Sequence, residues 1–492
     1  MQSISSSNIK KLPLVLFISV LSACSSQPAM PETQQPLDAP QWQTTKPESV
    51  QLQVSDQTND QAENSENKQL VGWWQSWQDP ILNELLEQVL HNNPSLNSAG
   101  INYQIALLQA GISTAAYRPR GSASAGVSET GNEKDHSTSY NVGLNVSWEL
   151  DLWGTRRAER AKAKATSERN LSELHAAQVS LIAQVVQTYV NLRNAQQNKQ
   201  LAQQAIALRQ QSYDLARWQQ SAGLTTELQQ AQALTLLKQT EASLPPHERA
   251  ELEAIQQLQA LAGGDLSAVL TELKALDELP QASELPLVIS ADVLRQRPDV
   301  QAKEQTIKEQ NEAIVLARHA RYPSFALSGS ISSKSQNVAD LFSADTVVAS
   351  LAANLSYLLF DGGQLRQNVK IQKLRLEQSL ENYRATLLMA EQEVTGALTA
   401  LDSNQRQQTS FQQAMESAEL AANLAKMQYD YGLLNFSELL DAQTALLNSR
   451  SSLLSNQAAV LNSWVQLYRS IGGGWQGLAL PSLASTTGTK SE

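Results

Sequence analysis

From Tyr140 to Leu152 apolar and polar residues alternate almost without interruption. Tyr140, Val142, Leu144, Val146, Trp148, Leu150 and Leu152 fall on one face, and Asn141, Gly143, Asn145, Ser147, Glu149 and Asp151 on the other. A period of two is the signature of a strand with two different environments. Gly121 to Ser128 alternates more weakly, through Ala123, Ala125 and Val127, and the polar stretch Thr130 to Thr138 between the two reads as a loop. A second pair follows far downstream. Phe325, Leu327, Gly329 and Ile331 alternate with Ala326, Ser328, Ser330 and Ser332, and Ala349, Leu351, Ala353, Leu355, Tyr357 and Leu359 share one face of the returning strand.

After each strand pair the period changes. Leu171, Leu174, Leu181, Val185, Leu192 and Ala195 recur in steps near three and four, as do Leu380, Tyr383, Leu387, Ala390, Val394, Ala397 and Leu401. This predicts a helix with a narrow apolar stripe, suited to a coiled coil or a helical wall. No proline occurs between Pro119 and Pro245 or between Pro323 and Pro481. In each case about 65 residues of helix-favouring sequence precede a glycine, on the order of 100 Å at 1.5 Å per residue. Gly223 and Gly432 mark the turns of two helical hairpins, and Pro245-Pro246 is expected to break the returning helix of the first.

The two halves are one unit written twice. At a constant shift of 209 residues, Arg157 falls on Arg366, Val185 on Val394, Leu192 on Leu401, Gly223-Leu224 on Gly432-Leu433, and Gly263-Gly264 on Gly472-Gly473. Gly154, Gly362 and Gly363 sit where strand gives way to helix, a change of direction that glycine permits. The resulting division is a signal peptide over 1–23, an anchor and tether over 24–69, a first repeat over 70–280, a second over 285–475, and a flexible tail over 476–492. Within the repeats, strand pairs are expected over about 120–152 and 324–360, and hairpins over about 155–262 and 363–471.

Strands of roughly ten residues with one apolar and one polar face fit a transmembrane barrel, in which every backbone group is paired. Four strands cannot close one, since about eight is the smallest size, so the chain must pool strands with copies of itself. A soluble sandwich with one wet face is the alternative that the strands alone leave open.

Composition narrows the class. A formal charge of −11 argues against a nucleic-acid partner. At the N-terminus Lys10-Lys11, the apolar run Leu12 to Val20, and Leu21-Ser22-Ala23-Cys24 have the order of a bacterial lipoprotein processing site. Cys24 is the only cysteine, so it makes no internal disulfide and is the candidate lipid carrier; an ordinary secretory signal is the alternative. Ser25 to about Lys68, rich in Gln, Pro, Ser, Asp and Glu, reads as an extended tether. The five histidines lack metal-ligand spacing, and no phosphate loop or nucleophile elbow occurs, so no enzyme, metal or cofactor is expected beyond lipid on Cys24.

Trp73-Trp74 with Asp79-Pro80, the segment Leu294 to Val300, Arg321-Tyr322-Pro323-Ser324-Phe325, Phe360-Asp361-Gly362-Gly363, and Ile471-Gly472-Gly473-Gly474-Trp475 occur in one order along the chain. With these markers the sequence resembles the TolC family of outer-membrane factors, in its lipoprotein branch. The resemblance implies a mainly α fold: a long α-helical barrel joined to a twelve-stranded trimeric transmembrane β-barrel, four strands per chain, with a mixed equatorial belt near Ala262 to Asp292. It implies an outer-membrane, lipid-anchored exit duct of a tripartite efflux pump, with a periplasmic adaptor and, indirectly, an inner-membrane transporter as partners. A duct for protein secretion and a non-conducting periplasmic coiled-coil lipoprotein are the competing readings.

The resemblance also places a control point at the hairpin tips. Glu438 and Asp441, one helical turn apart just beyond Gly432, correspond to acids that face the pore, and Tyr429 to a tyrosine that ties hairpins together. Six carboxylates around one aperture repel anions and gather cations. The competing reading is that both acids merely stabilise a helix start. Copy one has Gln229 and Gln232 at these positions, so any ring belongs to copy two alone.

Overall fold

The computed structural model describes residues 72–132, 136–264, 266, 279–280, 293–476 and 478. Cys24, the signal and tether segments, most of the expected belt segment and nearly all of the expected tail lie outside these residues.

The body begins with a 3-10 turn, Trp73–Trp77, followed by α1 (Pro80–Asn92) and α2 (Pro94–Ala115). Strands β1 (Arg120–Gly131) and β2 (His136–Leu150) lead into α3 (Thr155–Ser221) and α4 (Glu227–Ala262). The second copy opens with a single turn, Val293–Gln296, and α5 (Pro298–His319). It continues through β3 (Ser324–Ser335), a 3-10 turn, Val338–Phe342, and β4 (Val347–Ser356), then α6 (Gln364–Asp430) and α7 (Phe436–Ser470). Both α3 and α6 are 67 residues long.

The four strands form one antiparallel sheet in the order β1-β2-β3-β4. Its register sorts the side chains by polarity. Ala123 lies opposite Leu144, Leu144 opposite Ile331, and Ile331 opposite Ala349, so one face is apolar across all four strands. Ser122, Asn145, Ser330 and Ser350 occupy the other face in the same sequence of pairings. There Ser128 and Ser139 hydrogen-bond at 2.8 Å, and Ser330 and Ser350 at 2.7 Å. The apolar face is bare within the chain: Leu144 is 59% exposed, Leu351 78% and Leu355 69%. Among the described residues, strands β1 and β4 are open edges. The helices follow a different logic, and among the described residues none is long and apolar enough to cross a membrane.

Three expectations are corrected. Thr130 to Thr138 is not all loop, because β1 runs to Gly131 and β2 resumes at His136, with Thr130 opposite Ser137. Polar side chains do not end a strand whose stability comes from backbone pairing. At the other end β2 stops at Leu150 and β4 at Ser356, short of Leu152 and Leu359. Pro245-Pro246 does not break the returning helix, since α4 passes through both. Proline removes the amide that would bond the carbonyl four residues back. Here both prolines and Ala242 are exposed, so water can meet the carbonyls they leave unpaired.

A matched pair of struts ties the end of each returning helix to the start of another helix. Asn93 Nδ2 donates to the Leu261 carbonyl at 2.7 Å, and Arg297 donates to the Ser470 carbonyl at 2.6 Å. The two acceptors are related by the 209-residue shift, and each donor stands just before a proline that opens a helix. Arg297 also bonds Asp299 at 2.8 Å and Glu393 at 2.7 Å. Burial alone would lower its pKa; the two carboxylates outweigh that and raise it. Gly263 and Gly472, at φ 68 and 71, complete the two closures. A Cβ on Gly263 would stand 2.7 Å from the Asn92 carbonyl, and one on Gly472 would stand 3.1 Å from the Arg297 Cα, so neither site has room for a side chain.

Candidate functional site

The ends of the two hairpins farthest from the sheet are made by two turns of the same design. Gly223 and Gly432 adopt φ 73 and 72, a backbone region that costs glycine nothing. Leu224 N donates to the Gln219 carbonyl and Leu433 N to the Gln428 carbonyl, both at 2.8 Å. Gly223 N and Gly432 N donate to the Gln220 and Tyr429 carbonyls at 3.0 and 2.9 Å. These nested bonds satisfy the last carbonyls of α3 and α6 and reverse the chain.

At the opposite end, where strand becomes helix, Gly154, Gly362 and Gly363 adopt φ 79, 62 and 90. Two aspartates the sequence reading did not single out as caps finish those corners. Asp151 accepts from Thr155 N at 2.8 Å and Arg156 N at 3.0 Å, and Asp361 accepts from Gly363 N and Leu365 N, each at 2.8 Å. A carboxylate at a helix start complements the free amides there. The corner is therefore architecture.

Just above the tips the two hairpins pack on each other. Ala216, Ala233, Ala425, Phe436, Leu439 and Leu440 are buried together, with Tyr213, Leu236 and Tyr429 against them. Tyr429 donates to Gln219 Oε1 at 3.1 Å, joining α6 to α3 of the same chain. Its partner is an amide and not an acid.

Glu438 and Asp441 are both exposed on the first turns of α7. The structure gives them different surroundings. Glu438 completes a capping box: Asn435 N donates to Glu438 Oε2 at 3.2 Å, while the Asn435 side chain accepts from the Glu438 amide. Asp441 makes no such bond. The turn that carries it is held by Arg209 of α3, 2% exposed, which the sequence reading missed. Its guanidinium donates to Thr444 Oγ1 at 2.7 Å, Gln443 Oε1 at 3.1 Å and the Leu440 carbonyl at 3.5 Å. Burial lowers the Arg209 pKa, and the Asp441 charge opposes that shift. The signal in the sequence was a lone arginine in an apolar helical register whose counterpart in copy two is Ala418.

Among the described residues no group of three or more His, Cys, Asp or Glu is placed to hold a metal ion. What the arrangement can do is present carboxylates at an end whose backbone is fixed by paired turns and a shared apolar cluster.

The profile of the family described as outer membrane efflux protein matches residues 85–264 and 289–473, one match for each repeat. The cation efflux system protein CusC of Escherichia coli O157:H7 is 28% identical over 419 residues, covering 84% of this chain and 90% of its own. The antibiotic efflux pump outer membrane protein ArpC of Pseudomonas putida is 28% identical over 414 residues, covering 82% and 85%. Among solved structures, the Campylobacter jejuni CmeC outer membrane channel superposes with a TM-score of 0.76 at 27% identity, over 82% of this chain and 88% of that one. A bare apolar sheet face, two open strand edges, twin hairpins each led by a 67-residue helix and a family match that restarts at the repeat boundary converge on one conclusion. The chain belongs to the outer membrane efflux protein family, the channels in which long helical hairpins extend from a β-barrel in the outer membrane.

Proposed function

We propose that three copies of this chain form the outer-membrane exit duct of a tripartite efflux pump, a passive conduit whose driving force comes from an inner-membrane transporter through a periplasmic adaptor. The observation that carries the reading is the sheet. Its apolar face suits lipid, its serine- and asparagine-lined face suits water, and its open edges suit pairing β1 of one copy with β4 of the next. Twelve strands close a barrel that four cannot. A non-conducting coiled-coil lipoprotein would have no use for such a face.

The adaptor docks at the tips, where Trp218 is 68% exposed, Leu224 79%, Tyr431 77% and Leu433 77%. Exposed aromatic and aliphatic side chains beside fixed turns make a natural protein contact. Lipid on Cys24 supplies a second attachment to the membrane. Relatives of equal identity are named for cations and for antibiotics, which fits a duct whose cargo is chosen upstream. Glu438 and Asp441 of three chains surround the periplasmic aperture and favour cations there.

Purified protein in a planar bilayer tests this. A conducting, cation-selective trimer is expected, and replacing Glu438 with Gln together with Asp441 with Asn should lower cation selectivity at matched salt. A monodisperse monomer without conductance would refute the duct. Unchanged selectivity in the double variant would leave both acids as ordinary helix-start residues.

A further inference from the structure

A fully buried arginine is expensive unless its charge is balanced, and proteins rarely keep one without a carboxylate in contact. Arg209 is 2% exposed and forms no ion pair among the described residues. Its Nε has no hydrogen-bond partner, and its three contacts are all with neutral acceptors. Those acceptors belong to Leu440, Gln443 and Thr444, which bracket Asp441 along α7. The guanidinium thus holds the one turn of α7 that carries the exposed acid, from the side that faces α3.

Comparison of the repeats gives a second, independent observation. In copy two the position of Arg209 is Ala418, and in copy one the position of Asp441 is Gln232. Cation and anion occur together where α3 meets α7, and both are missing from the equivalent pair on α6 and α4. A guanidinium needed only for packing would have no reason to track an exposed carboxylate on another helix.

We propose that Arg209 is the positioning residue of Asp441: it fixes the α7 turn that carries the carboxylate against α3 and sets a buried positive charge behind it. This deepens the exit-duct reading and rests on it only for the location of Asp441 at the aperture. In that setting the ring's carboxylates repel one another, and a cation held behind each one opposes that repulsion without occupying the pore.

The test is thiol chemistry on the full-length, detergent-extracted protein. Cys24 is the only native cysteine and is already capped if lipidated; any residual reactivity is subtracted using the parent protein. Asp441→Cys places a thiol on the turn that Arg209 holds, and Glu438→Cys places one a turn away as control. A guanidinium at close range favours the thiolate, so modification of the first by a neutral methanethiosulfonate reagent at fixed pH should slow by about threefold to tenfold when Arg209→Met is added. Arg209→Lys, which keeps the charge, should restore most of the rate. The rate at the Glu438→Cys control should change by less than about twofold. Unchanged rates at position 441 overturn the proposal. Equal slowing at both positions also overturns it, because that pattern reports general loosening of the tips. None of these readouts needs conduction, so failure of the duct reading and failure of this inference are separate results.

Discussion

Helices α3 and α6 have the same length and descend from the same ancestral segment, yet they live in different surroundings. Leu181, Val185 and Leu192 of α3 and their counterparts Ala390, Val394 and Leu401 of α6 are all buried. On the neighbouring face the two part company. Ile182, Val186 and Val190 are buried in α3, whereas Glu391, Thr395 and Thr399 stand at the same positions of α6. Helix α3 is flanked by α2, α4, α5 and α7; α6 packs chiefly on α5 and α7. Its open side is a shallow groove floored by Gly396 and Ala400 and walled by Leu388, Glu391 and Ser403. Duplication kept the stripe that holds each hairpin together and released the face beside it, which one copy fills from its own chain and the other leaves open.

The hardest blow to this comparison would come from the shared stripe. Val394→Asp places a charge at a site with no exposure and should cost more than about 3 kcal/mol, so that neither helical circular dichroism nor a trimer survives. Thr395→Asp, one residue away on the open face, should leave the chain folded. Equal damage from both would mean that the two faces are not distinct.

Gly396→Leu sharpens the contrast from the other side. Within one chain a Cβ there meets nothing within 4 Å, and replacing a mid-helix glycine should favour the helix by about 1 kcal/mol. The chain should fold while the trimer dissociates at lower temperature, as followed by light scattering in detergent. A trimer as heat-resistant as the parent would show that the groove is not covered by another copy.

The smallest effects are expected from the two struts. Arg297→Ala loses charge-assisted bonds to Ser470, Asp299 and Glu393 and should cost about 2–3 kcal/mol. Asn93→Ala loses the bond to Leu261 and its cap on Leu96 N, costing about 1–2 kcal/mol. Guanidinium unfolding curves should rank them in that order. A reversed order would make the first repeat the more dependent on its closure.

Much of the fold was legible because its signals are local and occur twice. Period-two alternation named four strands, and the constant shift identified equivalent turns without any knowledge of contacts. What escaped the sequence depends on backbone or on distant partners. Thr130 and Ser137 look like loop residues because their side chains are polar, although their backbones pair in the sheet. Pro245-Pro246 looks like a helix end because the sequence does not reveal that water can take the place of a lost donor. At the tips the spacing Asn435 to Glu438 could have been read as a capping box. The importance of Arg209 could not, because its acceptors lie more than 230 residues away in the chain. The missing carboxylate partner becomes visible only once α3 and α7 are seen side by side.

The open edges of the sheet carry a consequence for how such a protein comes into being. Among the described residues, strands β1 and β4 each present a row of backbone donors and acceptors with no partner strand, and in hydrocarbon every such group left unpaired costs several kcal/mol. A solitary protomer is therefore at home neither in lipid, because of its edges, nor in water, because of its bare apolar face. If three copies share one barrel, insertion and ring closure become a single event, steep in the concentration of chains. Under a falling supply of the protein, a cell would have fewer complete channels and not leakier ones.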